Sequence, residues 1–133
     1  MVLGVGVDVV AVDRIAQAVD RLGVRFLRRV YTEAEARTCL ARRQRAACLA
    51  ARFAAKEAVM KALGCGLGPV GWRDIEVQRG PGGRPQVRLE GAAARLANEK
   101  GVERIHLSLS HDGGIAIACA VAWGGGEARG ETV

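Results

Sequence analysis

Arg52-Phe53-Ala54-Ala55-Lys56-Glu57-Ala58-Val59-Met60-Lys61-Ala62 is the stretch on which the reading of this chain turns. It lies in an apolar helical pattern from about Ala46 to Leu63, stopped by the breaker Gly64-Cys65-Gly66-Leu67-Gly68-Pro69. On a wheel of about 100° per residue with Leu49 at zero, Phe53 and Met60 fall within about 40°. Glu57 and Lys61 then lie at about 80° and 120°, at the edge of the apolar stripe, and Lys56 at about −20°, inside it. In an arbitrary helix a Glu→Lys pair at i,i+4 is surface support of a few tenths of a kcal/mol. Here the lysines are conspicuous. Of 20 basic residues only three are Lys, and two of those bracket Glu57. A chain that otherwise uses Arg has placed a compact ammonium where guanidinium differs from it. Ala50, Ala54, Ala55 and Ala58 leave room for something to approach the helix.

Upstream, residues 2–7 are apolar and β-branched and read as a buried strand ending at Asp8. A lone carboxylate there is ordinarily a turn or cap residue. Buried, it is costly unless paired or metal-bound. With Glu57 it makes half of a hard-metal site, since Mg²⁺ is usually held by one or two carboxylates with phosphate oxygens and waters. Downstream, Ser108-Leu109-Ser110-His111-Asp112-Gly113-Gly114 closes a strand. His111 fits a plain turn, or a group that bonds a phosphate or an incoming hydroxyl. There is no GxxxxGK[ST], HExxH or GxSxG, and Gly4-Val5-Gly6 lacks the rest of a dinucleotide fingerprint.

The remaining pattern predicts a helix over Val12–Leu22 interrupted at Gly23. A capping box at Thr32-Glu33-Ala34-Glu35 opens a helix to about Leu40. Strands at 74–77 and 86–89 flank a hairpin loop, a short helix spans Ala92–Lys100, and strands follow at 105–110 and 115–121. This is a single α+β domain, with residues 1–123 forming the domain and 124–133 a flexible C-terminal tail. At 133 residues the chain is long enough for one core, and with 4% aromatics that core is aliphatic. The start lacks a basic n-region and meets an acid too early for a secretory signal. The run Gly113–Gly126 is too short for the ~20 residues of a membrane helix. The four cysteines show no metal or redox spacing and read as reduced thiols of a cytoplasmic protein. Net charge is +6 and is concentrated: residues 21–52 hold nine Arg against two acids. Such a face implies an anionic partner.

In order and spacing, Gly4-Val5-Gly6-Val7-Asp8, Arg52 to Ala62 and Ser108-Leu109-Ser110-His111-Asp112 resemble the 4′-phosphopantetheinyl transferases of the short, acyl-carrier-protein-synthase type. The similarity runs from about residue 2 to 123. It implies an antiparallel sheet packed on a long central helix, and three identical subunits with each site between neighbours. It implies an enzyme that moves phosphopantetheine from coenzyme A to a serine of an apo acyl carrier protein, leaving adenosine 3′,5′-bisphosphate. Asp8 and Glu57 match the family's Mg²⁺ ligands, with Mn²⁺ a second fit, and Lys61 a lysine near the transferred phosphate. Arg52, Lys56, Gly64, Ser110 and His111 fall in coenzyme-A-site segments. Gly83, Arg84 and Pro85 match a Gly-Lys-Pro loop near the adenosine 3′-phosphate, with Arg here in place of Lys. Arg14, Arg21 and Arg25, which one continuous helix would put on one face, match basic residues that grip the acidic carrier protein. Three proton acceptors stay open for the serine: Glu57, a metal-bound water and His111. Which carrier is served, in fatty-acid or polyketide synthesis, also stays open.

Two other classes compete. A nucleic-acid binder fits the charge but not the scarcity of aromatics or the Lys-Glu-x-x-x-Lys constellation, and its binding would fall steeply with salt. A catalytically dead carrier-binding module is disfavoured because both carboxylates and Lys61 are present. The expectation is therefore an enzyme with neither nucleic acid nor membrane as partner.

Overall fold

The structure is a computed structural model that describes residues 1–125. Along the chain run β1 (Val2–Ala11), α1 (Val12–Leu22), α2 (Val24–Val30), α3 (Glu33–Leu40), α4 (Arg45–Ala62), β2 (Ile75–Arg79), β3 (Pro85–Leu89), α5 (Gly91–Glu99), β4 (Arg104–Asp112) and β5 (Ile115–Trp123). β1, β5 and β4, in that order, form an antiparallel sheet, and β2 and β3 form a separate hairpin. The α+β reading holds. β1, however, does not end at Asp8: it continues to Ala11, pairing with β5 throughout, so Asp8 projects from the middle of a strand. Apolar residues on both sides of the acid carry the ladder past it.

The sheet's inner face takes α4. Ala116, Ala118, Ala120 and Ala122 of β5 are fully buried there against Ala54, Ala55 and Ala58 of α4. Small side chains let helix and sheet approach closely, and on β1 the approach needs glycine. A Cβ on Gly4 would strike the carbonyl of Ala62, and one on Gly6 the carbonyl of Ala58. These two glycines therefore serve helix–strand packing. Opposite, on the sheet's outer face, Val5, Val7 and Val9 stand in register with Val121, Cys119 and Ile117, and no described element covers them.

The expected capping box is present: Thr32 Oγ1 accepts from Glu35 N at 3.2 Å and Glu35 Oε1 from Thr32 N at 2.9 Å. Gly23, at φ 57°, ends α1 through its N–H to Val19 O and starts α2. Lys56 is wholly buried. Its ammonium meets Glu35 Oε1 at 2.7 Å, Trp72 O at 3.0 Å and Ile75 O, so all three protons are used. Glu35 Oε2 accepts from Val77 N at 2.6 Å.

The reading of four reduced thiols fails for two of them. Cys39 near the end of α3 and Cys48 in the first turn of α4 form a disulfide, with Cα atoms 5.4 Å apart. The short loop between the helices folds them together, a meeting that a nine-residue spacing does not announce. Cys65 and Cys119 are free. Of the expected tail, Gly124 exchanges two backbone hydrogen bonds with Met1 (2.6 and 3.0 Å) and Gly125 N donates to Glu103. Residues 126–133 lie outside the described residues. No described helix is long and apolar enough to cross a membrane.

Candidate active site

Asp8 points inward from β1, on the face that also carries Gly6 and Val10, and α4 brings Glu57 and Lys61 over it. Lys61 Nζ donates to Asp8 Oδ1 at 3.2 Å and to Val7 O at 3.0 Å. The other carboxylate oxygen, Oδ2, is buried without a partner. Burial, followed by the neighbouring Asp8, raises the Glu57 carboxyl to about 7; Lys61 and Arg14 pull the other way. Glu57 and Asp8 are thus neighbours, and the Asp8 carboxylate opposes ionisation of Glu57. A buried orphan oxygen beside a carboxylate that resists ionising is an arrangement short of positive charge. A divalent cation with a taste for hard oxygen supplies it. Among the described residues no group of three or more metal-binding side chains exists. The remaining ligands would be substrate oxygens and water, as Mg²⁺ usually has them. The residues present fit such an ion.

A second feature lies elsewhere. A cavity of about 590 Å³ opens between α4, the β2–β3 hairpin and the end of β4. Arg42, Arg43, Arg52 and Arg79 line it with Ser110 and His111, and Gly83 and Pro85 form part of its rim. Arg52 is only 6% exposed and has no carboxylate partner. Its Nη1 donates to Cys48 Sγ at 3.1 Å, and its Nε has no partner. Burial lowers its pKa from the ordinary guanidinium range. A buried, uncompensated cation on a cavity wall favours an anionic occupant. Neither Asp8 nor Glu57 nor Lys61 lines this cavity.

The sequence-derived residues therefore fall into groups. Asp8, Glu57 and Lys61 converge. Arg52, Gly83, Pro85, Ser110 and His111 share the cavity. Arg84 faces away, into a groove with Arg104 and His106. Gly64, at φ 73°, closes α4 by donating to Lys61 O and abuts the Lys100 ammonium, outside the cavity. Lys56 is a correction. It belongs to the helix–hairpin core and reaches neither the acid pair nor the cavity, because its position inside the apolar stripe turns it into the protein. The interruption expected at Gly23 is present, so Arg14 and Arg21 lie on α1 and Arg25 on α2, and the shared face that one continuous helix would give does not form. Arg14 lies over the Phe53 ring at 5.7 Å, and Arg25 lines a groove of about 260 Å³ with Leu22, Phe26, Phe53 and Trp72. Arg42, Arg43 and Arg79 were not singled out in the sequence. The dense positive charge of residues 21–52 was the available signal for the first two, and nothing marked Arg79.

A family model described as the 4′-phosphopantetheinyl transferase superfamily matches residues 4–120. The holo-[acyl-carrier-protein] synthase of Desulforudis audaxviator is 52% identical over 97% of this chain and 98% of its own. That of Koribacter versatilis is 51% identical over 91% and 98%. Among solved structures, the Neisseria meningitidis holo-[acyl-carrier-protein] synthase superposes with a TM-score of 0.86 at 33% identity, covering 92% and 99% of the two chains. The Helicobacter pylori enzyme in complex with coenzyme A gives 0.80 at 31%, covering 90% and 99%.

Proposed function

Since the chain belongs to the 4′-phosphopantetheinyl transferase superfamily, we propose that it is a Mg²⁺-dependent holo-[acyl-carrier-protein] synthase using coenzyme A. The relatives named above carry that activity in their names, and they match over nearly the whole chain. The observation that carries the metal-dependent reading is the convergence of Asp8 and Glu57 beside Lys61, with Asp8 Oδ2 buried and unpartnered. Mg²⁺, or Mn²⁺ with similar preferences, would neutralise charge on the pyrophosphate as the bond breaks.

In the reaction the serine hydroxyl oxygen of the carrier forms a bond to the β-phosphorus of coenzyme A. The bond from that phosphorus to the bridging oxygen breaks, and adenosine 3′,5′-bisphosphate leaves with the electron pair. The serine proton needs an acceptor, for which Glu57 and His111 are this chain's candidates. Lys61 adds a fixed positive charge at the acid pair, and the cavity arginines bind the nucleotide phosphates. Arg14, over the Phe53 ring, and Arg25, in the groove that Phe53 also lines, offer cations beside an apolar floor to an acidic carrier protein. Arg21, in the last turn of α1, extends the same basic region.

The acid pair and the arginine cavity have no residue in common, and a single coenzyme A must engage both. The outer sheet face offers the means. Val5, Val7 and Val9 are 57%, 50% and 54% exposed and Ile115 and Ile117 both 43%, a contiguous apolar surface of the kind that partners cover. A homotrimer would bury this face and bring the acid pair of one subunit to the cavity of the next. The direct test is mass spectrometry of an apo acyl carrier protein incubated with coenzyme A and Mg²⁺. A gain of one phosphopantetheine, abolished by EDTA, is the expected result; an unmodified carrier under all conditions rejects the reading.

A further inference from the structure

The cavity has two kinds of wall. One is α4, which contributes Cys48 and Arg52; the other is the β2–β3 hairpin, which contributes Arg79, Gly83 and Pro85. The hairpin is not part of the three-stranded sheet, so no strand ladder fixes its distance from α4. Among the described residues, the buried hydrogen bonds from the hairpin to the helices run through Lys56 and Glu35, with one part-buried bond beside them. Lys56 donates to Ile75 O, Glu35 accepts from Val77 N, and Thr32 Oγ1 donates to Glu76 Oε2. Lys56 and Glu35 are both fully buried and complete each other's hydrogen bonding.

A buried ion pair is a poor device for stability alone, because well-packed apolar residues of similar volume often serve as well or better. Its distinctive property is direction. Three ammonium protons and two carboxylate oxygens, each with an assigned partner, fix where the start of β2 lies along α4. Apolar contacts between Ile75, Val77 and α4 would tolerate sliding that this ion pair does not.

We propose that Lys56 and Glu35 are positioning residues for coenzyme A binding: through the hairpin they set the width of the arginine-lined cavity. This rests on the coenzyme reading given above. The pair touches no substrate and acts only through the walls it holds.

The test is the double variant Glu35→Leu/Lys56→Met, assayed with coenzyme A and apo acyl carrier protein. The variant should melt lower, because Ile75 O, Trp72 O and Val77 N lose their partners. Below that transition, with a parent-like circular dichroism spectrum, KM for coenzyme A should rise about fivefold or more with kcat within about twofold. A parent-like KM in a parent-like fold overturns the inference, since a merely structural pair would be replaceable without kinetic cost. If the double variant does not fold, Glu35→Gln decides instead, because its one amide oxygen can accept from Lys56 or from Val77 N but not from both. A KM rise of about two- to threefold supports the inference, and an unchanged KM overturns it. Turnover by the parent is the control: its absence would count against the function itself, whereas a KM unmoved by the variants counts against the positioning role alone.

Discussion

Three lysines among seventeen arginines each complete a set of backbone carbonyls around α4. Lys56 meets Trp72 and Ile75, Lys61 meets Val7, and Lys100 donates to Leu63 O at 2.6 Å at the helix end. A compact ammonium enters these sites and a planar fork does not, which gives the unusual Lys usage a physical cause. Glu57 is the residue whose chemistry is most constrained. Glu57→Gln should lower turnover by about 100-fold or more with an unchanged circular dichroism spectrum; near-parental turnover would reject the metal site. Its carboxyl also predicts a pH effect. A group raised from the usual carboxylate range to about 7 favours the folded state while protonated. That contribution is complete below the unfolded pKa and disappears as pH climbs through about 7. The metal-free protein should therefore melt progressively lower from pH 5 to 8, and Glu57→Gln should flatten the trend. The acid pair and Lys61 could be read from residue type and spacing. The wheel places Lys56 inside the stripe, as the structure has it; its assignment to a coenzyme-A-site segment comes from the family resemblance. What a wheel cannot supply is the partner, and Glu35 comes from another helix.

Helix α4 and strand β1 meet without side chains at two points, and Gly6→Ala tests how much depends on that. The added methyl would press on the Ala58 carbonyl, a backbone atom that cannot rotate away. The expected cost is about 1–3 kcal/mol in denaturant unfolding, with activity lost as Asp8 and Glu57 separate. The α3–α4 junction carries its own staple. Cys39 and Cys48 close a loop of nine residues. Chain-entropy arguments for so small a loop give a loss of about 2–3 kcal/mol on reduction, measurable as a shifted urea midpoint with dithiothreitol. A Cys39→Ser/Cys48→Ser variant should match the reduced protein and ignore the reductant. Element by element, periodicity located α4 to within one residue at each end, and the capping box gave the start of α3. The misses have physical causes. Asp8 looks like a strand terminus because burying a charge is costly, and the neighbours that meet the cost lie fifty residues away. Helix α2 is a single short amphipathic stretch whose identity depends on the packing of Phe26 on Tyr31. The disulfide depends on a loop conformation that spacing does not encode.

For the whole molecule, the proposed association rests on the uncovered valine face. Val7→Lys places a charge at its centre, in register with Cys119 and Ser108. Light scattering should then report one chain where the parent gives a larger species, with the monomer still folded and activity much reduced. A parent that is itself monomeric and fully active would remove the reason for a shared site. The separation of the acid pair from the arginine cavity leads further, to a genetic kind of experiment. If a working centre draws its two halves from different chains, two inactive proteins broken in opposite halves should rescue one another. Glu57→Gln chains retain the cavity and Arg52→Gln chains retain the acids. Unfolded together and refolded at equal ratio, they should recover about a quarter of parental activity by random assortment, where either alone recovers almost none.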